Sequence, residues 1–259
     1  MGSYVIDNDD PDELKRLRSI EAICDGGTFR RLSSLGVTSG WRCLEFGTGA
    51  GSVARWMAAQ VGDPMLVVAT DLEPQRVAAL RAEGLDARVH DITREDLPPE
   101  SFDLIHCRCV LHHLPSRYEV MRRLKRMLRP GGYVLLEEYD AFATQTGCNV
   151  EIGAMWRALM MAMEVAGAAP VWAHELPADL HAIGMQDIQA TGEIEYYSPD
   201  SPAAEFCRLT WQQLAPLCVS KGWLTTETLE ASLKYLSSPG AYFMLPALIA
   251  VSARRPVVE

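Results

Sequence analysis

A regular alternation of short apolar runs with amphipathic runs, carried from about residue 41 to 140, constrains this chain most. "RCLEFG" reads as a strand and "SVARWMAAQV" as a helix; "MLVVATD" reads as a strand and "PQRVAALRAEG" as a helix with Pro74 in its first turn. "LDARVHD" and "FDLIHCRC" are strands, "SRYEVMRRLKRML" is a helix, and "YVLLEEYD" is a strand after the turn "RPGG". Short Leu- and Val-rich strands joined through amphipathic helices predict a parallel sheet covered on both faces. The expected fold class is α/β, with a doubly wound sheet.

The loop Gly47-Thr48-Gly49-Ala50-Gly51 ends the first strand and opens the first helix of this pattern. Glycine there admits positive φ and removes the Cβ that would meet a ligand. Two ligand classes use such a turn: a dinucleotide, through G-x-G-x-x-G, and S-adenosylmethionine (SAM), through an acid followed by G-x-G-x-G. Glu45 precedes the loop and Ser52 stands where the dinucleotide pattern needs Gly or Ala, which favours SAM. Asp71 ends the second strand, where a carboxylate can accept from both ribose hydroxyls of either ligand; it also suits the N-cap of the next helix. Asp91 follows the third strand, where an acid can accept from an adenine amino group with Ile92 walling the ring, or can cap its own loop.

Composition narrows the partners. The chain has 259 residues, 48% of them hydrophobic, and a formal net charge of −10. That balance argues against nucleic acid, which needs clustered Lys and Arg. No run is long and apolar enough for a membrane span, and the acidic start "MGSYVIDNDDPDE" is unlike a signal peptide. Seven cysteines without C-x-x-C predict free thiols and a cytoplasmic location. In "HCRCVLHH", a strand puts Cys107 and Cys109 on one face and His106 on the other, which disfavours a metal site.

"LEFGTGAGS", "VVATDLEP", "HDITREDLP", "FDLIHCRCVLHHLPSR" and "LRPGGYVLLEE" occur in this order. Together they resemble class I SAM-dependent methyltransferases, in particular the group related to ubiquinone and menaquinone methyltransferases and actinobacterial small-molecule methyltransferases. The resemblance implies a seven-stranded, mostly parallel, Rossmann-like sheet whose last strand is antiparallel. It implies SAM against Gly47, Gly49 and Gly51, ribose on Asp71, and adenine near Leu72, Asp91 and Ile92. The backbone around Cys107 would face the methionine end, and Glu45 would hold the loop or reach the SAM ammonium through water. The whole chain, 1–259, would be one domain: an N-terminal helical cap (1–40), a SAM-binding core (41–140), helical lid insertions (141–174 and 199–242) and a last strand (243–254).

The family pattern does not fix the methyl acceptor, so base candidates come from position alone. They should lie beyond the fourth and fifth strands, at the carboxyl edge of the sheet. His112 and His113 follow strand four; Tyr139 and Asp140 end strand five. Each histidine reads equally as a helix-start or packing residue, and Tyr139 as a pocket or packing residue. The insertions carry apolar stripes, with Met155, Met160, Met161 and Met163 in one and Phe206, Leu209 and Trp211 in the other. These read as cap core, as a lid over an apolar or aromatic small-molecule acceptor, or, in the second insertion, as a homodimer face. Before strand one, "DDPDELKRLRSIEAI" is a helix stopped by Gly26-Gly27, and "TFRRLSSLGV" is a second helix. Tyr4 and Arg18 are candidates to touch SAM from this cap. The expected function is methyl transfer from SAM by in-line displacement; the alternatives are a non-catalytic SAM-binding protein and a nicotinamide-dependent oxidoreductase.

Overall fold

A computed structural model describes residues 6–145 and 150–257. Its sheet contains β1 (Cys43–Phe46), β2 (Val67–Asp71), β3 (Asp86–Val89), β4 (Phe102–Arg108), β5 (Leu128–Asp140), β6 (Gln186–Glu193) and β9 (Ala247–Arg254). The seven strands run in the order β3-β2-β1-β4-β5-β9-β6. β1 to β5 pair in parallel, and β9 runs antiparallel between β5 and β6. This is the doubly wound, mostly parallel sheet expected of the class I methyltransferase fold. Strand order reverses between β1 and β4, and such a switch point opens a crevice at the carboxyl ends of the strands.

One face carries α2 (Ser52–Val61) and α3 (Pro74–Ala82); Val53, Met57, Val77 and Leu80 bury against Cys43, Val67 and Leu104. The other carries α4 (Arg117–Met127) and α6 (Leu176–Ala182), whose Val120, Leu124 and Leu180 bury against Ile105, Val134 and Val251. A third cluster lies in the cap. There α5 (Val150–Val165) and α7 (Pro202–Ser220), with α8 (Thr226–Tyr235), enclose Met155, Trp156, Phe206 and Trp211.

Three expectations need correction. The N-terminal region is one helix, α1 (Glu13–Ser34), running through Gly26-Gly27. A Cβ at Gly27 would stand 2.8 Å from Nη2 of Arg31, so this glycine makes room for a guanidinium instead of ending the helix. The last strand does not start at residue 243. Phe243–Met244 (β8) pairs with Tyr196–Tyr197 (β7) in a separate two-stranded ribbon, and β9 begins after Pro246, which has no N–H to give a ladder. Finally, Trp211 is a core residue of the cap rather than a wall for an acceptor. It is 1% exposed and meets Trp156 edge-on at 5.9 Å. Met155, Met160, Met163, Phe206 and Leu209 are likewise buried, whereas Met161 is exposed.

Truncating a buried tryptophan removes a large apolar contact and leaves a cavity, at a cost of about 3–5 kcal/mol. Trp211→Ala should therefore lower the unfolding free energy by that order in a urea titration. A loss under about 1 kcal/mol would return Trp211 to a cavity wall.

Candidate active site

The glycine loop lies at the switch point. All three glycines adopt positive φ: 67° at Gly47, 56° at Gly49 and 92° at Gly51. Their surroundings differ. A Cβ at Gly47 would fall 2.4 Å from Cγ2 of Val110, and one at Gly51 would fall 2.7 Å from Cδ2 of Leu80. These two glycines let protein side chains approach. At Gly49 the nearest atom is Cδ2 of Leu17, at an ordinary 3.7 Å, so here the added Cβ would find room. Gly49 N–H donates to Oδ2 of Asp71 at 2.9 Å, tying the loop to the end of β2.

Asp71 is buried, accepts from Glu73 N–H at 3.0 Å and has Arg76 at 3.4 Å; Arg76 also donates to Asn8. Leu72, the next residue, is 58% exposed, an apolar side chain presented beside the carboxylate. Ile92 is buried. Asp91 is spent on its own turn, its Oδ1 accepting from Thr93 N–H at 2.9 Å and Thr93 Oγ1 at 2.6 Å, with Arg94 3.4 Å from Oδ2. Burial pulls its carboxyl up, but the Thr93 bonds and Arg94 leave it below the usual range.

α1 closes this side. Glu21 accepts from Ser52 N–H at 2.8 Å and Asp25 from Ser52 Oγ at 2.9 Å, so two acids of α1 sit at the N-terminus of α2. Carboxylates are favourable there because the first helical N–H groups lack partners. Tyr4 lies outside the described residues. Arg18 is exposed and lines a cavity of about 700 Å³ with Lys15, Glu205 and Arg208, between α1 and α7; Leu17 is the α1 side chain that reaches the loop.

Glu45 does not turn outward. Its Oε2 lies 2.6 Å from Nδ1 of His106, whose Nε2 lies 3.1 Å from Oε2 of Glu137, so one imidazole bridges β1 and β5 from β4. Arg31 and Thr28 of α1 donate to Glu137 at 2.6 Å and 2.5 Å, and Arg108 donates to Thr28 and Asp25. Burial alone would lower the His106 pKa; the Glu45 and Glu137 carboxylates outweigh it and lift it to about 9. Burial pushes the Glu45 carboxyl up against the pull of His106. Glu137 is also penalised by burial, yet His106, Arg31 and Arg108 bring it down to about 2.

The base candidates separate. Cys107, expected on the cofactor side through its backbone, is fully buried with its thiol 3.7 Å from Oε1 of Glu138. Asp140 is fully buried; it accepts from Phe142 N–H at 2.9 Å and His174 N–H at 3.0 Å, and its Oδ2 lies 2.8 Å from His174 Nδ1. Those partners make it an anchor for both ends of the first insertion, Phe142 at its start and His174 at its close. Tyr139 has its hydroxyl 3.5 Å from Cys24 Sγ and its ring 6.5 Å from Phe206; burial pushes its phenol well above the usual range. His112 is buried with Nδ1 2.5 Å from Oε2 of Glu138. His113 lies with its ring centroid 4.0 Å from that of His112, and burial beside His112 and Arg16 holds its pKa well below the usual value. Among the described residues no group of three or more potential ligands gathers to hold a metal ion, and no helix is long and apolar enough to cross a membrane.

Sheet order and crevice define a class I methyltransferase fold. Residues 44–136 match the methyltransferase domain family. Over this stretch the chain is similar to the class I SAM-dependent methyltransferases, whose fold it has. It is 34% identical over 99 residues to the methyltransferase str3 of Strobilurus tenacellus, covering 38% of this chain and 35% of that protein. It is 36% identical over 105 residues to the ubiquinone biosynthesis O-methyltransferase of Xanthomonas oryzae, covering 38% and 43%. The chain thus spans less than half the length of these curated relatives. A similar solved fold is phosphoethanolamine N-methyltransferase 2 of Haemonchus contortus in complex with S-adenosylhomocysteine (SAH), at TM-score 0.61 and 19% identity over 96% of this chain and 59% of that one.

The residues present fit SAM on one further observation. Thr48 is 7% exposed, and its Oγ1 is buried in the glycine loop without a hydrogen-bond partner. An orphaned buried hydroxyl costs about 1–3 kcal/mol, so its persistence at this loop points to a polar ligand.

The pH dependence of stability follows from His106. Its unfolded pKa is about 6.5. Stability from the folded value of about 9 is fully present below pH 6.5 and is lost as pH rises through 9. His106→Gln should therefore flatten the fall in unfolding free energy between about pH 6.5 and 9, worth of order 3 kcal/mol in the parent protein. The same alkaline slope in both proteins would contradict a charged His106.

Proposed function

We propose that this protein transfers a methyl group from SAM to a small, apolar or aromatic metabolite held between the sheet edge and the helical cap. The observation that carries the donor half is the loop at the switch point: Gly49 at positive φ with room beside it, joined to Asp71 through its N–H, and the unpartnered Thr48 hydroxyl next to it. SAM supplies a methyl carbon on a cationic sulfur, which leaves as a neutral thioether when an acceptor attacks in line.

Each part of the chain then has a task. Asp71 accepts from the ribose, and Leu72 and Ile92 offer apolar surface to the adenine. Glu21 and Asp25 of α1 place negative charge beside the loop, and Leu17 shields it from water. On the acceptor side Phe206 and Tyr139 present aromatic surface, and Arg16 lies 5.6 Å over the Phe206 ring. Aligning two reactants in a dry site supplies roughly 7–11 kcal/mol, and a base adds about 10²–10⁴-fold where the acceptor must lose a proton. Of the two histidines that follow β4, His112 is the group for that proton, because burial beside His112 and Arg16 holds the His113 pKa well below its usual value.

Calorimetry with SAH and with NAD tests the reading. SAH should bind and NAD should not; the reverse result would make the protein a nicotinamide enzyme. Asp71→Ala should weaken SAH by roughly 10- to 150-fold, the worth of a charged hydrogen bond. Affinity within twofold of the parent, with the fold intact, would remove Asp71 from the site. Transfer of label from methyl-labelled SAM into a metabolite extract distinguishes an enzyme from a protein that only binds the donor.

A further inference from the structure

We propose that Glu138 is a positioning residue that fixes His112 in the tautomer of a general base; the proposal rests on the methyl-transfer reading above. Glu138 lies on β5 and is fully buried. Its oxygens collect the turn that follows β4. Oε1 accepts from Val110 N–H at 3.2 Å and Leu111 N–H at 2.8 Å, and Oε2 accepts from His112 N–H at 3.3 Å. Oε2 also lies 2.5 Å from Nδ1 of His112. One carboxylate thus takes three successive backbone donors and the side chain of the third.

The imidazole state follows from donor and acceptor rules. A carboxylate can only accept, so Nδ1 of His112 must carry the hydrogen. In the neutral ring the lone pair then sits on Nε2. Nε2 has no protein partner among the described residues, and the ring packs against His113 at the seam with Arg16 of α1. The other candidates are engaged or mismatched. Asp140 is bound by Phe142 and His174, the Tyr139 phenol is raised, and His113 is held too weakly basic.

The turn itself is strained. Cys109 adopts φ 58°, a left-handed conformation that is disfavoured for a non-glycine residue. The Glu138 bonds to the next three residues hold that conformation. The same turn presses Val110 toward the site of the missing Cβ of Gly47. One carboxylate therefore sets both the base and the seating of its turn on the donor loop.

In the reacting complex, Nε2 of His112 takes the proton of the acceptor as the acceptor's lone pair forms its bond to the methyl carbon. The electron pair of the broken carbon–sulfur bond stays on sulfur, giving neutral SAH. The imidazolium so formed keeps its Nδ1–H on the Glu138 carboxylate and later releases the Nε2 proton to water.

Nitrogen NMR of the ¹⁵N-histidine-labelled protein, with and without SAH, tests this without needing the acceptor. His112 is assigned by its loss in His112→Gln. The expected parent spectrum at neutral pH shows His112 protonated at Nδ1 and bare at Nε2. Glu138→Gln should shift the ring toward the Nε2-protonated tautomer. An Nε2-protonated or doubly protonated His112 in the parent would overturn the proposal, as would an unchanged tautomer in Glu138→Gln. If that variant does not fold, the parent spectrum alone decides. Failure of the parent to bind SAH would sink the methyl-transfer reading and leave the tautomer result standing separately.

Discussion

The interaction on which the site depends is the buried bridge Glu45–His106–Glu137. It crosses the central strands β1, β4 and β5 near their carboxyl ends and gathers Arg31 and Thr28 from α1. Burying these charges would be costly if any were left alone, and each has an opposite charge or hydrogen-bond donor within reach. The bridge does not touch the donor region directly. It fixes the azimuth of α1, and that orientation puts Leu17, Glu21 and Asp25 on the glycine loop and the start of α2. A helix held only by apolar contacts would be free to rotate; an Arg31–Glu137 pair at 2.6 Å, one partner fully buried, allows one docking.

The two sides of the crevice are built on different principles. The donor side uses backbone: positive φ at three glycines, an N–H tied to Asp71, and an orphaned Thr48 hydroxyl. The proposed acceptor side draws on side chains from elements far apart in sequence, with Phe206 from α7, Tyr139 from β5 and His112 after β4. In the proposed reading the donor is held by the glycine loop and Asp71, and the insertions 141–174 and 199–242 are where a particular acceptor would be chosen.

This division explains what the sequence disclosed. The alternation of strands and helices, the glycine loop and the acid at the end of β2 were legible because each rests on local chemistry: short apolar runs between amphipathic ones, glycine where φ is positive, and an acid ending a strand. Gly26-Gly27 misled because a glycine pair reads as a helix stop, whereas here Gly27 clears space for Arg31 inside a helix anchored at a distance. His106 could be placed opposite Cys107 by strand parity, but its two carboxylate partners come from different strands, and nothing local marks them. Glu138 lies next to Tyr139 in sequence yet serves His112, a pairing only the β4–β5 register creates. Trp211 looked like a lid residue because helical spacing does not say which neighbour an apolar stripe meets.

The central claim is that α1, seated by the His106 bridge, forms one wall of the donor site. Hydrogen–deuterium exchange with and without SAH measures this most directly. The account predicts slower exchange on SAH binding in both the glycine loop, 47–52, and the stretch of α1 from 17 to 28. Protection of the loop with α1 unchanged, or exchanging faster, would contradict it.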